Sequence, residues 1–175
     1  MPVIWRPIES DGLVALFTDI VESSARLAAA GDRAWSDLLD RHDEAVRREL
    51  RRFGGREVKT TGDGILATFD NPTRALAGGR TIRDAAVRLG LTVRVGLHTG
   101  QVHVRGADVG VWPCTWRRGC RRWPLPTRCW SRGRWPTSSW DRAFAFTNAG
   151  EHTLEGVPGR WGLYAREGEP DTADL

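Results

Sequence analysis

The stretch Glu57–Phe69, which runs Glu-Val-Lys-Thr-Thr-Gly-Asp-Gly-Ile-Leu-Ala-Thr-Phe, decides the fold. Residues 57–60 alternate around one apolar side chain, and residues 65–69 carry apolar side chains at every second position. Such alternation is typical of half-buried β-strands. Between them, both glycines of the Gly-Asp-Gly sequence at 62–64 can adopt the positive φ of a tight turn. The stretch therefore predicts a β-hairpin with Asp63 at its tip.

The same hairpin contains Lys59, the only lysine in the chain, against 25 arginines. Lysine is a slim point donor and arginine a planar fork, so this exception indicates a position with different chemistry. The plainer interpretation is a surface pair with Glu57, which is worth about 0.5 kcal/mol or less. Asp63 by itself is compatible with an ordinary turn residue.

Length and composition limit the class of protein. A chain of 175 residues suits one domain with a proper core. We find no apolar run near the roughly 18 residues of a membrane span and no secretory signal, and therefore expect no membrane segment and a cytoplasmic location. Gaps of five and eight residues separate Cys114, Cys120 and Cys129, and neither matches a zinc knuckle.

The net charge of +4 is unevenly distributed. Residues 112–140 hold seven arginines and no acidic residue, a local +7 that leaves −3 for the rest of the chain. Six of the nine tryptophans also fall there. Arginine interleaved with tryptophan suits single-stranded nucleic acid, but such platforms normally lie on an ordered sheet, so we do not expect a nucleic-acid partner. A salt-sensitive gel shift with single-stranded RNA tests this alternative.

The chain before the hairpin predicts a strand and two helices. The apolar run Leu13–Phe17 predicts a buried strand that ends in Thr18-Asp19. Ser23 or Ser24 is the predicted cap of an alanine-rich helix that stops at Gly31. An acid followed by a helix N-terminus is an arrangement in which backbone N–H groups can hold phosphate. Asp19 alone is also compatible with a simple helix-start acid.

The second helix, about 33–53, has Asp32 as its predicted cap and ends at Gly54-Gly55. After the hairpin, Asn71-Pro72 predicts the start of a third helix that runs to about 89. Strands are predicted at 91–97 and 101–105, with a turn at His98-Thr99-Gly100 between them. His98 and His103 lack spaced ligand partners, so a structural role is the plainer interpretation. The order β-α-α-β-β-α-β-β predicts an α+β sandwich of the ferredoxin-like type.

The second half of the chain is less regular. We expect residues 1–12 to be a lead segment, 13–166 to be one domain, and 111–143 to be irregular, because its prolines interrupt any period. Two further strands are predicted, within 146–154 and at 162–165. The acidic tail at 167–175 is expected to be disordered.

Six short segments follow one another in a distinctive order: 16–21 (Leu-Phe-Thr-Asp-Ile-Val), 58–64 (Val-Lys-Thr-Thr-Gly-Asp-Gly), 95–100 (Val-Gly-Leu-His-Thr-Gly), 106–110 (Gly-Ala-Asp-Val-Gly), 150–152 (Gly-Glu-His) and 154–161 (Leu-Glu-Gly-Val-Pro-Gly-Arg-Trp). In this order and spacing they resemble the catalytic domain of class III nucleotidyl cyclases, which make cyclic AMP or cyclic GMP. The resemblance covers about 13–110 and 144–165.

The resemblance implies a reaction and a site. It implies that the ribose 3′-hydroxyl of ATP attacks the α-phosphate and pyrophosphate leaves, with two divalent cations, Mg²⁺ or Mn²⁺, at oxygen ligands. It assigns Asp19, Asp63 and the Ile20 carbonyl to the metals, and Lys59 and Asp108 to adenine. The residues that would hold the β- and γ-phosphates are Val21, Glu22, Ser23 and Ser24. It also implies a homodimer in which the metal acids come from one subunit and the base-reading pair from the other.

The pattern breaks after Asp108. Members of the family carry an asparagine or histidine seven residues later and an arginine four residues beyond it, both of which stabilise the transition state. Those positions are Thr115 and Gly119 here, so no catalytic residue of this pair is intact. The expected function is therefore an adenylate cyclase-type domain with impaired activity. The alternative is a weak nucleotide-binding partner that forms a heterodimer with an intact cyclase.

As a cause of the break, we hypothesise that part of the gene is read in a shifted frame. Residues 112–115 require the codons TGG-CCN-TGY-ACN, which one base upstream can read Met-Ala-Val-His, similar to the start of the family's helix. In the shifted frame, each TGG codon contributes its first two bases to an NTG codon, such as those of valine and leucine. Reading the same bases in the present frame gives TGG, which accounts for the excess of tryptophan. Resequencing codons 108–148 tests the hypothesis, which fails if no other frame yields an amphipathic helix and a valine-rich strand.

Overall fold

The structure, a computed structural model, describes residues 6–8, 13–99, 102–105, 108–111, 127–131, 146–153 and 160–166. In chain order the elements of these ranges are β1 (Arg6–Ile8), β2 (Val14–Ile20), α1 (Ser23–Ala30), α2 (Asp32–Phe53), β3 (Arg56–Thr60), β4 (Ile65–Phe69), α3 (Pro72–Arg88), β5 (Val93–Thr99), β6 (Val102–Arg105), β7 (Asp108–Val111), β8 (Thr127–Ser131), β9 (Phe146–Thr153) and β10 (Arg160–Arg166).

The strands form two sheets. The larger has the order β3-β4-β2-β5-β8-β10-β9, and the smaller has the order β1-β6-β7. β5 and β8 pair in parallel, and the other neighbours of both sheets pair antiparallel. The large sheet combined with the helices confirms the predicted α+β class.

The helices α2 and α3 pack on one face of the large sheet, because each presents an apolar stripe that must be buried. On β2 the even-numbered residues face them, since successive side chains of a strand alternate between its two faces. The core consists of Val14, Leu16, Ile20, Trp35, Val46, Leu50, Ile65, Ala67, Phe69, Ala75, Leu76, Ile82, Ala86, Leu91, Val93, Val95 and Leu97. A smaller apolar cluster around Ala15 and Leu66 lies on the opposite face, with Leu13, Phe17 and Val58 against it.

The hairpin predicted at 57–69 is confirmed as β3 and β4. Its turn is asymmetric, because only the first glycine, Gly62, has a positive φ, of 90°. Gly64 is required for a different reason: a Cβ there would overlap the main-chain carbonyl oxygen of Thr18. The absence of a side chain at Gly64 therefore lets the turn approach the backbone of β2.

The hairpin is also tied to α2 by an ion pair. Arg47 donates from Nε to Oε2 of Glu57 at 2.8 Å and from Nη2 to Oε1 at 3.1 Å. This hydrogen bond is the main cause that raises the pKa of the Arg47 guanidinium. A bidentate contact has a fixed geometry, so it orients the sheet's edge strand against the helix.

The predicted starts of the helices were right in one case out of three. Asn71 caps α3, with its Oδ1 accepting from the N–H of Arg74 at 3.1 Å. The prediction that Ser23 or Ser24 caps α1 is wrong: Glu22 is the cap residue and no side chain bonds the helix end. Asp32 is likewise not a cap, because Gly31 is the residue that precedes α2 and Asp32 lies in the first turn of the helix. Its negative charge there still interacts favourably with the helix dipole.

Two strand predictions also need correction. His98 and Thr99 continue β5 and do not turn the chain there, because β2 pairs with β5 up to Val14 opposite Thr99. The segment 111–143, in which no strand period is recognisable, contains β8. Pairing with β5 on one side and β10 on the other holds β8 in the sheet, and such pairing overrides local preference. The lead segment contributes β1, whereas the tail at 167–175 lies outside the described residues.

Candidate functional site

The end of β2 and the tip of the hairpin are joined by hydrogen bonds. The N–H of Ile20 donates to the carbonyl oxygen of Asp63 at 3.1 Å. On the other side of the turn, the N–H of Ile65 donates to Oγ1 of Thr18 at 2.9 Å. These two bonds fix the turn against the strand, and they bring Asp63 next to the backbone of Asp19 and Ile20. The three predicted metal-binding residues therefore lie on two adjoining backbone segments.

The Asp63 carboxylate is oriented by a hydroxyl group. Ser23 Oγ donates to Asp63 Oδ2 at 2.5 Å, and both residues are half-buried. Because the donor is neutral, the bond orients the carboxylate and leaves its negative charge in place. The hydroxyl that was predicted to cap α1 thus bonds a residue 40 positions away.

The Asp19 carboxylate faces a cation instead. Asp19 lies opposite Arg94 in the pairing of β2 with β5, and Nη1 of Arg94 is 3.4 Å from Oδ2 of Asp19. The side chains are 16 % and 23 % exposed for Asp19 and Arg94, respectively. Partial burial reduces screening by solvent, so the pair is stronger than an exposed one. Sequence reasoning missed Arg94, although a charged residue between Val93 and Val95 of a core strand is a signal that it has a partner.

The start of α1 provides backbone donors for an anion. The N–H of Val21 is already used, since it donates to the carbonyl oxygen of Thr92 at 2.9 Å. The N–H groups of the first helical turn, which include those of Ser23 and Ser24, have no partner within a helix. Of the residues predicted to hold phosphate, Ser23 and Ser24 therefore keep N–H groups suited to this role, whereas that of Val21 is engaged.

The predicted base-reading residues lie on strands in contact. Lys59 is half-buried on β3, and β7, which begins at Asp108, lies against β3. The side chain of Asp108 is outside the described part of the structure, and so are Thr115 and Gly119.

The donor set around Asp63 fits a hard divalent cation. It consists of carboxylate and carbonyl oxygens, the ligands that Mg²⁺ and Mn²⁺ prefer. Among the described residues, no group of three His, Cys, Asp or Glu side chains is placed to hold a metal ion. Two carboxylates still suffice for Mg²⁺ when substrate phosphates complete its shell. The residues therefore suit a divalent cation whose remaining ligands are water molecules or the phosphates of a substrate.

Comparisons with known proteins agree with this fold. No family model matches the chain. An adenylate cyclase of Lachancea kluyveri is 35 % identical over an alignment of 124 positions, and the match covers 57 % of this chain and 7 % of that protein. The chain thus spans a small part of that relative's length. None of the helices in the described ranges is long and apolar enough to cross a membrane.

Solved structures match over nearly the whole chain. The adenylyl cyclase CyaB from P. aeruginosa superposes with a TM-score of 0.73 at 18 % identity, covering 93 % of this chain and 96 % of that one. The guanylyl cyclase Cya2 superposes with a TM-score of 0.65 at 17 % identity, covering 100 % of this chain and 98 % of that one. The fold is therefore shared by enzymes named for either base. The chain has the fold of the class III adenylate and guanylate cyclase catalytic domain, which confirms the resemblance drawn from its motifs.

Proposed function

We propose that the chain is an adenylate cyclase-type catalytic domain that binds Mg²⁺- or Mn²⁺-ATP and has a reduced capacity to form cyclic AMP and pyrophosphate. One observation carries the proposal: within a cyclase fold, hydrogen bonds hold the segment of Asp19 and Ile20 against the turn of Asp63. Two acidic residues that share metal ions must lie close together, and these hydrogen bonds between strand and turn keep them so.

Each residue has a proposed role. Asp19, Asp63 and the Ile20 carbonyl hold the cations. When bound, the cations neutralise phosphate charge and lower the pKa of the ribose 3′-hydroxyl. The N–H groups at the start of α1 hold the β- and γ-phosphates, where the helix dipole favours negative charge. The 3′-oxygen then forms a bond to the α-phosphorus as the bond to the leaving pyrophosphate breaks.

Adenine is the base that suits the proposed reading pair. Lys59 supplies donors only and Asp108 supplies acceptors only. Adenine presents an acceptor at N1 and a donor at N6, whereas guanine reverses that edge and would leave buried groups unpaired. The contact between β3 and β7 supports a common location of the two residues on one subunit. By resemblance, the metal acids of the same site come from the other subunit of a homodimer.

Reduced activity is proposed because the positions of the transition-state pair are Thr115 and Gly119. Neither residue supplies a cation, and each ~1.4 kcal/mol of lost stabilisation is a tenfold loss in rate. The same observation favours a second candidate: a partner that lends Asp19 and Asp63 to a composite site with an intact cyclase.

The two candidates are separated by an assay of cyclic AMP formation from Mn²⁺-ATP. The chain is assayed alone and then mixed with a homologous cyclase domain that keeps its base-reading and transition-state residues but has asparagine in place of its metal acids. We expect slow turnover by the chain alone, abolished by Asp63→Asn. Activity that arises only in the mixture, and is lost with Asp63→Asn, supports the partner. If neither sample forms cyclic AMP and no Mn²⁺-ATP binds, the proposed function is contradicted.

A further inference from the structure

We infer that Ser23 is a positioning residue for the Asp63 carboxylate, and that the left-handed backbone at Glu22 brings its hydroxyl there. The inference rests on the proposed function, in which Asp63 holds a metal. It assigns to the Ser23 hydroxyl a role other than capping the helix, whereas the N–H of Ser23 keeps its proposed role toward phosphate.

The first observation is the hydrogen bond itself. Ser23 Oγ and Asp63 Oδ2 are 2.5 Å apart, at the short end of the range for a hydroxyl bonded to a carboxylate. The bond joins the first residue of α1 to the tip of the hairpin. Ser24, the neighbouring hydroxyl, is exposed and has no such contact among the described residues. The two adjacent serines therefore have different roles.

The second observation is the backbone at Glu22, with φ 58° and ψ 31°. Among the described residues it is the only non-glycine residue with a positive φ. A helix cap normally has extended backbone, and its side chain bonds the helix end. Glu22 does neither, so α1 begins in a strained conformation without the usual compensation.

The geometry explains what the strain achieves. Just before Glu22, the N–H of Val21 is bound to the carbonyl of Thr92, so the chain is still fixed to the sheet. One residue after Glu22, Ser23 already reaches Asp63. The left-handed residue between these two contacts bends the chain sharply, so that α1 begins with Ser23 against the hairpin tip.

The chemical consequence is orientation without loss of charge. A lysine or arginine in place of Ser23 would orient Asp63 but would repel a divalent cation. A hydroxyl bonded to one oxygen fixes the rotation of the carboxylate and leaves it anionic. Groups that orient a metal ligand in this way commonly contribute about 10- to 100-fold to metal affinity.

The test measures binding of Mn²⁺ alone to the full chain by electron paramagnetic resonance, which follows free Mn²⁺ without any turnover. We expect Ser23→Ala to weaken Mn²⁺ binding by about tenfold or more, and Ser23→Thr, which keeps the hydroxyl, to restore most of the affinity. Ser36→Ala, at an exposed serine of α2, is the matched control and should bind as the unchanged chain does. Asp63→Asn serves as the reference for a lost ligand.

The outcomes separate the inference from the function on which it rests. If the unchanged chain binds no Mn²⁺, or if Asp63→Asn binds as well as the unchanged chain, the proposed metal site fails. If Asp63→Asn loses binding but Ser23→Ala binds as well as Ser36→Ala, the inference about Ser23 is overturned and the metal site stands. If Ser23→Ala does not fold by circular dichroism, Ser23→Cys, a weaker donor of similar size, replaces it, and unchanged affinity there overturns the inference.

Discussion

The two acidic positions of the candidate site are held in opposite ways. Asp63 lies in a turn and accepts from the neutral hydroxyl of Ser23 at 2.5 Å. Asp19 lies in a strand of the core sheet and faces the guanidinium of Arg94 at 3.4 Å. Both are half-buried, so the difference is not one of exposure. Asp63 is oriented by a neutral hydroxyl group, whereas Asp19 is paired with a cation on the neighbouring strand.

This difference follows from electrostatics. Two carboxylates close together repel each other when no cation is bound. Pairing Asp19 with Arg94 lowers that cost. The following changes break or sharpen the comparison between the two acids.

The largest effect is expected from Gly64→Ala, which disturbs both positions together. The new Cβ would overlap the main-chain carbonyl oxygen of Thr18, and backbone cannot move aside as a flexible side chain can. We expect a loss of about 3 kcal/mol in the free energy of unfolding, measured by urea denaturation.

Gly90→Ala is the control for this change. Gly90 has a positive φ of 74° but nothing within 4 Å of the added atom, so only backbone strain of about 1 kcal/mol is expected. If both variants lose the same stability, the close approach of the turn to β2 is not what requires Gly64.

A smaller effect is expected from Arg94→Gln, which removes the cation from Asp19 and leaves Asp63 unchanged. Without divalent ions, we expect a loss of about 1 kcal/mol, because a partly buried carboxylate loses its partner. With Mn²⁺ present, the variant should gain more stability than the unchanged chain, since the ion then supplies the missing positive charge. Urea unfolding in EDTA and in Mn²⁺ measures both quantities.

Arg80→Gln removes the same charge from an exposed position of α3 and should leave the response to Mn²⁺ unchanged. Should Mn²⁺ stabilise Arg94→Gln less than it stabilises the unchanged chain, Arg94 orients Asp19 for the metal, and compensation of charge is not its role. In that case Asp19, like Asp63, would be held by a neighbour that orients its carboxylate.

The smallest effect concerns the backbone that brings Ser23 to Asp63. Glu22→Gly relieves the positive φ at an exposed residue, so we expect a gain of about 0.5–1 kcal/mol in stability. Glu44→Gly, at an exposed position within α2, should instead lose about 1 kcal/mol. A loss of stability in Glu22→Gly equal to that in Glu44→Gly would show that no strain is stored at the start of α1.

Some features that depend on neighbours in sequence were predicted correctly. The hairpin followed from alternation and from the Gly-Asp-Gly turn, and Asn71 was recognised as a cap because capping involves residues three positions apart. The three metal-binding candidates were also proposed from sequence, on the order of motifs. The strand β8 was not predicted, because its residues show no period and pairing with β5 and β10 holds it.

The sequence by itself determined the α+β class, the hairpin and the acids at the strand end and the turn. Periodicity and turn chemistry are local properties of the chain, and the order of the motifs is read directly along it. Only the tertiary structure decided what holds those acids. Ser23 meets Asp63 across 40 residues, and Arg94 meets Asp19 across 75. Such contacts depend on strand register and on where a helix begins in space. The sequence around Ser23 or Arg94 does not identify these partners, because the same helix start or strand pattern would form if either side chain pointed into water.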